Sequence, residues 1–278
     1  MYPPSLIPWF IRNRRRLVAG TVAAVALFLS LTFLYGDPCG YRGCPTVAEI
    51  RAFSRARRGG VSLERIPENV RNAFIAVEDR RFADHNGVDW RGFGRAFWRN
   101  AAALKVREGA STLTMQVARM AFIGGDECGN RSVGRKLVEL RLASLIEEAL
   151  SKDQILELYL NQIYLGDGVY GVEAASRHYF GKGVTRLTLS EAAALAALPR
   201  APSVYDPVDH PERSVERRNL VLRLMAREGY ITVAQAAGAA ERQVRNADRS
   251  GAPGRSSSTV VRVRRTEQGG TIQICLAS

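Results

Sequence analysis

Glu78 and Asp79 stand side by side in the run A-V-E-D-R-R-F-A-D-H-N-G-V-D over residues 76–89, at the end of an apolar helical stripe. A carboxylate in that place can serve as a general acid or base if burial against Phe74 and Phe82 raises its pKa toward the working pH. Asp79, one residue on, would point elsewhere from a helix, which suits an orienting or hydrogen-bonding role. A Glu-Asp pair alone does not separate a reactive site from a charged edge, so the other polar clusters must be weighed with it.

Two further segments gather polar side chains on one helical face. In G-A-S-T-L-T-M-Q (109–116) and the residues after it, Thr112, Gln116 and Arg119 fall at i, i+4 and i+7, while Leu113, Val117, Met120 and Ala121 make the opposite face. A Gly-Ala-Ser-Thr helix start also offers backbone N–H groups, a natural seat for phosphate. Read without chemistry, the same pattern is a capped amphipathic helix with a solvated side. In R-S-V-G-R-K-L-V-E, Arg131, Arg135 and Glu139 are spaced i, i+4, i+8 beside an apolar stripe of Val138, Leu142, Leu145 and Ala149. The plain alternative is an exposed Arg135–Glu139 pair worth roughly a few tenths of a kcal/mol.

The elements that would position these groups are helical. Pro67 suits a first helical turn, and Val70, Ala73, Phe74 and Val77 follow at i, i+3, i+4, i+7, which puts Glu78 at the edge of a buried stripe. Trp90, Phe93, Phe97, Ala101 and Leu104 oppose Arg91, Arg95 and Arg99. That helix either lies in a membrane interface or faces a core. Ser151 with Gln154 forms a capping box opening S-K-D-Q-I-L-E-L-Y-L-N-Q-I-Y-L, closed by Gly166, and Thr188 with Glu191 opens E-A-A-A-L-A-A-L, stopped by Pro199. Further helices are expected over 211–228, closed by Gly229, and over 232–242. A Ser/Gly/Arg linker (246–258) precedes two short alternating runs around E-Q-G-G, the pattern of a terminal hairpin. No internal repeat is visible, which argues against a solenoid.

At 278 residues the chain has room for one sizeable domain and an anchor. The stretch Leu17–Tyr35 carries no charge and is long enough to cross a bilayer as a helix. Arg12, Arg14, Arg15 and Arg16 precede it and Asp37 follows, so the N-terminus is expected in the cytoplasm and the remainder outside. A cleaved signal peptide is the rival, but L-Y-G-D-P-C lacks a small-x-small cleavage site. The expected layout is a cytoplasmic N-terminus (1–16), a transmembrane helix (17–35), a tether (36–65), a catalytic body (66–245) and a tail (246–278). Formal charge is +13 and only Lys105, Lys136, Lys152 and Lys182 are lysines, so anionic partners meet mainly arginine. Outside the cytoplasm, nucleic acid is a poor candidate. Cys39 and Cys44 could close a small loop and Cys128 could pair with Cys275, although sequence does not fix the connectivity. Zinc would need tighter clustering than the scattered His85, His178 and His210 provide.

Five segments, in this order, resemble the family 51 glycosyltransferases, the bacterial peptidoglycan polymerases. They are A-F-I-A-V-E-D-R-R-F-A-D-H-N-G-V-D, G-A-S-T-L-T-M-Q, R-K-L-V-E, S-K-D-Q-I-L-E-L-Y-L-N-Q-I-Y-L-G and A-A-L-A-A-L-P-R-A-P-S-V-Y-D-P. The resemblance covers roughly residues 66–207. It implies a mainly α, lysozyme-like glycosyltransferase domain with head and jaw lobes, and a bacterial inner-membrane enzyme whose catalytic domain is periplasmic. It further implies Glu78 as catalytic base and Glu139 as second essential glutamate. Asp79, Arg81, Phe82, His85, Ser111, Thr112, Gln116, Arg119, Arg131 and Lys136 would meet the substrate.

On that resemblance the reaction joins lipid II units into β-1,4-linked glycan strands. Glu78 deprotonates an acceptor hydroxyl, the anomeric centre inverts, and undecaprenyl diphosphate leaves against Arg119, Arg131 and Lys136. Glu139 would orient a cation or help hold a divalent metal, Mg or Mn. Partners would be lipid II, the growing strand, the membrane (with interfacial contact at Trp90, Phe93 and Phe97), and cell-wall synthesis or division proteins. Two departures are expected to matter: Met115 stands where the family has a glutamine, and Arg119-Met120 where it has Lys-Asn. The S-x-x-K of a transpeptidase nucleophile is missing, so a monofunctional enzyme is expected. The alternatives are a lysozyme-like lytic enzyme that cuts glycan and a non-catalytic, membrane-tethered binder of lipid-linked precursors.

Overall fold

A computed structural model describes residues 44–56, 60–103, 111–123, 133–242, 260–265 and 272–277. The expected transmembrane stretch 17–35, Cys39, Cys128, Arg131 and the whole 246–258 linker lie outside them. Among the described residues, no helix is long and apolar enough to cross a membrane.

Ten helices make up the described body: α1 (Val47–Ala56), α2 (Glu68–Glu78), α3 (Trp90–Ala103), α4 (Leu113–Ala118), α5 (Val133–Ala149), α6 (Lys152–Gln162), α7 (Val172–Phe180), α8 (Leu189–Ala197), α9 (Pro211–Arg227) and α10 (Val233–Glu241). Two strands, β1 (Val260–Arg265) and β2 (Ile272–Ala277), pair antiparallel with Val260 opposite Ala277. The protein is therefore mainly α.

The core is organised around α8. Every residue from Ser190 to Ala197 is buried, so this helix presents no solvent face and packs against both α2 and α9, which also meet each other. The apolar stripe of α2 delivers Val70, Ala73 and Phe74, all fully buried, to that contact. On the other side of the molecule α4 packs on α5 and α6. Capping boxes open α6, α8 and α10 through Ser151/Gln154, Thr188/Glu191 and Thr232/Gln235, each tying up two backbone donors that would otherwise be orphaned. Buried Arg218 donates to the carbonyls of Ala240 (2.6 Å) and Arg242 (2.9 Å) and fastens α9 to the end of α10.

The body begins earlier than the expected tether (36–65) allows. Val47, Ile50 and Phe53 give α1 an inward stripe, with Ile50 buried and Phe53 meeting Phe122 at 5.0 Å between ring centroids. Arg51 Nε donates to the Ala149 carbonyl (3.1 Å), closing the end of α5. The stretch before α2 is stitched to α6: Val61 N–H donates to Asn161 (2.9 Å) and Leu63 N–H to Glu157 (2.7 Å). The Gly- and Arg-rich composition of this region masked three well-spaced apolar residues. At the other end of α6 the helix stops at Gln162, short of Gly166. There Tyr164 and Tyr170 bridge a tight turn in which Gly166, Asp167 and Gly168 all take positive φ.

Candidate active site

Glu78 is the last residue of α2, and Asp79 leaves the helix with φ −156° and ψ 73°. This break sends the two carboxylates in different directions. Glu78 accepts a hydrogen bond from Gln116 Nε2 at 2.9 Å. Burial pushes its pKa above the ordinary carboxylate value, and nearby Asp79 adds to the rise. The Gln116 donor and the charges of Arg217 and Arg200 oppose it without cancelling it. The carboxylate is thus held closer to neutral pH, as a general base requires.

Asp79 is buried and works as a joint. His85 Nε2 donates to its two oxygens at 3.1 and 3.0 Å, and the Leu113 N–H donates to Oδ2 at 3.0 Å. One carboxylate therefore ties the end of α2 to the start of α4. The bond fixes His85 with its proton on Nε2, an assignment that follows from the acceptor it faces. The Leu113 donor is already engaged, and Thr112 Oγ1 accepts from Met115 N–H (3.2 Å). Two of the backbone donors expected to seat a phosphate at this helix start are therefore engaged by the fold itself. Thr112 also donates to the Gly87 carbonyl at 2.6 Å. Gly87 has φ +88°, and a Cβ there would lie 2.8 Å from the Ala143 carbonyl oxygen, so this turn admits only glycine without displacement.

After Ala118 the α4 backbone widens into a π-turn over Arg119–Ile123. Arg119 Nε and Nη2 then reach Glu139 at 3.0 and 3.3 Å. Lys136 Nζ donates to Glu139 Oε2 (3.0 Å) and to Ser111 Oγ (3.0 Å), and Arg135 Nε lies 3.6 Å from Glu139 Oε1. Glu139 itself is only 1% exposed. Its burial alone would raise its pKa, but the donations from Arg119 and Lys136 outweigh it and hold the carboxyl below the ordinary range. Lys136 is pushed down by burial and by the neighbouring Arg119 and Arg135, with Glu139 opposing.

A divalent metal does not fit this carboxylate. Both its oxygens face cations, and the described residues contain no group of three His, Cys, Asp or Glu side chains able to hold an ion. Asp79 is likewise saturated by His85 and Leu113.

These elements enclose an open cleft of about 630 Å³ whose walls include Glu78, Asp79, Ser111, Thr112, Gln116 and Arg119. Glu139 and Lys136 stand behind that wall and act on it through Arg119 and Ser111. Three residues expected to touch a ligand support the wall instead. Arg81 reaches Asp89 (3.3 Å) and Asp84 (3.8 Å), Phe82 is buried, and His85 is turned into Asp79. Met115, which stands where the family has a glutamine, is 1% exposed in the core, and Met120, expected to cost the site a polar contact, packs half-buried against that core. Arg131 lies outside the described residues.

The opposite wall was not anticipated. Arg200 follows α8, and Arg217 on α9 stands 5.6 Å from the Tyr205 ring centroid. Arg80, Arg95 and Arg227 complete a lining in which six arginines face three carboxylates, Glu78, Asp79 and Asp89. Arg200 belongs to the quoted segment L-P-R-A-P, which was the available signal. Nothing local in P-E-R-S-V-E-R-R-N distinguishes Arg217 from its neighbouring arginines. The arrangement can take a proton from a hydroxyl at Glu78 while holding polyanionic groups on either side.

The sequence model of a family described as Transglycosylase matches residues 46–226. Among similar proteins, Penicillin-binding protein 1F of Bacillus subtilis is 46% identical over 68% of this chain and 26% of its own length. Penicillin-binding protein 1A of Aquifex aeolicus is 51% identical over 64% of this chain and 24% of its own. The chain thus spans about a quarter of the length of these relatives. A crystal structure of Penicillin-Binding Protein 1A from Haemophilus influenzae aligns with a TM-score of 0.41 and 29% identity over 68% of this chain and 18% of that one.

Proposed function

The chain belongs to the transglycosylase family, and from that premise we propose that it is a peptidoglycan glycosyltransferase that polymerises lipid II into β-1,4-linked glycan strands. The observation that carries this reading is the half-buried Glu78, held by Gln116 at the edge of an arginine-lined cleft. Glu78 takes the proton from the 4-hydroxyl of an acceptor sugar. That oxygen attacks C1 of the donor sugar, the C1–O bond to the diphosphate breaks, and configuration at C1 inverts. Charge growing on the leaving diphosphate is met by Arg119, which Glu139 holds in place, with Lys136 adding its charge from behind through Ser111. Arg200 and Arg217, across from Glu78, suit the diphosphate of the acceptor lipid.

A lipid-linked substrate agrees with the remaining features. Trp90 and Phe93 are 61% and 41% exposed at the start of α3, next to Arg91, a combination suited to a membrane interface. The uncharged stretch 17–35 is the anchor, with the body on the periplasmic side of the inner membrane and its helices arranged as head and jaw lobes of a lysozyme-like fold. A glycan-cutting enzyme would also need a buried glutamate, but it has no use for arginines on both sides of it. Incubation of wild type and Glu78→Gln with lipid II tests the proposal. Polymer should accumulate with wild type alone. Equal polymer from both proteins, or cleavage of preformed glycan by wild type, would refute it.

A further inference from the structure

Lys152, the first residue of α6, lies on the far side of the wall from the cleft and makes three contacts with different elements. Its Nζ donates to the His85 carbonyl at 2.5 Å and to Glu147 Oε1 at 2.7 Å, and it stands 4.5 Å from the centroid of the Phe82 ring. Glu147 in turn accepts from Thr114 Oγ1 at 2.6 Å, so the network reaches α4 as well. The His85 ring has few other restraints: its Nδ1 is buried without a hydrogen-bond partner, and its edge meets Phe82 at 6.4 Å between centroids.

We infer that Lys152 is a positioning residue for the Glu78–Gln116 pair, acting through His85 and Asp79. The chain of contact is continuous. Lys152 fixes the His85 carbonyl and Phe82, which sets where the imidazole stands. The imidazole holds Asp79, and Asp79 joins the end of α2 to the first turn of α4. Those two helix ends carry Glu78 and Gln116. Through Glu147 and Thr114 the same ammonium restrains α4 a second time, from behind. A shift of either end alters the distance between base and acceptor hydroxyl, to which turnover is steeply sensitive. The inference rests on the glycosyltransferase reading for its kinetic consequence only, because the imidazole geometry can be followed without turnover.

The test compares wild type, Lys152→Met, Lys152→Arg and the double variant Lys152→Met/Glu147→Gln, which leaves no unpaired carboxylate if the single variant folds poorly. Lys182→Met serves as control, since Lys182 makes a comparable 2.8 Å pair with Glu191 and neither residue is one of the partners of His85. Imidazole 15N spectra are read alongside steady-state lipid II polymerisation, with the His85 signal assigned from His85→Asn; the chain has only three histidines. Removing Lys152 should cut kcat about 10-fold or more with KM little changed, and move the His85 resonances away from a fixed Nε2–H form. Lys152→Arg should recover part of both, and Lys182→Met should lose thermal stability while keeping kcat. An unmoved His85 signal, or wild-type kcat in folded Lys152→Met or the double variant, would overturn the inference. Inactive wild type would instead refute the glycosyltransferase reading, leaving the His85 signal to decide the positioning contact.

Discussion

Gln116 Nε2 lies 2.9 Å from Glu78 Oε2, so the residue that fixes the base in space also lowers the pKa that burial has raised. Position and ionisation of Glu78 are therefore coupled, and each neighbour that touches one affects the other.

Replacing Gln116 by Leu removes a donor to the ionised form, which must raise the pKa of Glu78 further. The base is active when ionised, so the acid limb of the kcat–pH profile should move to higher pH. Arg217→Gln and Arg200→Gln should move it the same way by successively smaller amounts, because they act through space on a carboxylate that Gln116 touches. Polymerisation rates from pH 4 to 8 in the three variants would check both sign and order.

Glu78→Gln should cost about 10²- to 10⁴-fold in kcat, the usual range for a lost general base. It should also stabilise the protein. A carboxyl whose pKa is raised on folding favours the folded state most below its unfolded value near 4.5, and that contribution is lost as pH rises through the folded value. Thermal midpoints of Glu78→Gln should therefore exceed wild type at neutral pH, with the gain shrinking as pH falls toward 4.5.

Glu139→Gln leaves Arg119, Arg135 and Lys136 facing each other without their common anion. Breaking a buried pair costs several kcal/mol, but the side chains of Arg119 and Lys136 are 43% and 35% exposed, so a loss of about 1–3 kcal/mol is expected after solvent screening. The pH sign is opposite to that of Glu78. The folded pKa is depressed, so this stability is present above the unfolded value and disappears as pH falls through the lower folded one. Denaturant titrations at pH 7 and pH 3 should show a smaller penalty at the lower pH, with kcat reduced and wild-type levels not restored by added Mg or Mn.

Gly87→Ala should destabilise the protein by about 1–3 kcal/mol, since the turn holds φ +88° and the new methyl meets the Ala143 backbone. The Thr112 hydroxyl would lose its acceptor geometry at the Gly87 carbonyl. Calorimetry of the variant, compared with an alanine at Gly94, where a Cβ would meet nothing, measures the effect.

Much of this site was legible as spacing. Gln116 and Arg119 share a face with Thr112 because α4 is helical, and Glu139 stands one turn from Arg135 for the same reason. The capping residues Ser151, Thr188 and Thr232 announce their helices through a rule that needs only four positions. What sequence adjacency obscured was direction. Arg81, Phe82 and His85 follow Glu78 closely, yet the chain breaks from the helix at Asp79 and turns them to the back of the wall. Arg200 and Arg217 were hidden for the converse reason: they reach Glu78 only through the packing of α2 against α8 and α9, which no local pattern encodes. The early start at α1 was masked by composition, although Phe53 supports the π-turn that aims Arg119.

The alanine-rich helix α8 has a further consequence. It packs against both α2, which ends in Glu78, and α9, which carries Arg217, while those two helices also meet each other, and its buried residues Ala192 to Ala197 include only one side chain larger than a methyl, Leu195. Methyl-sized side chains thus let all three helices approach closely, and their bulk helps to set the gauge of the cleft. Adding bulk at these alanines would spread the two walls, and the reach of an arginine toward a diphosphate would change without any substitution in the cleft itself.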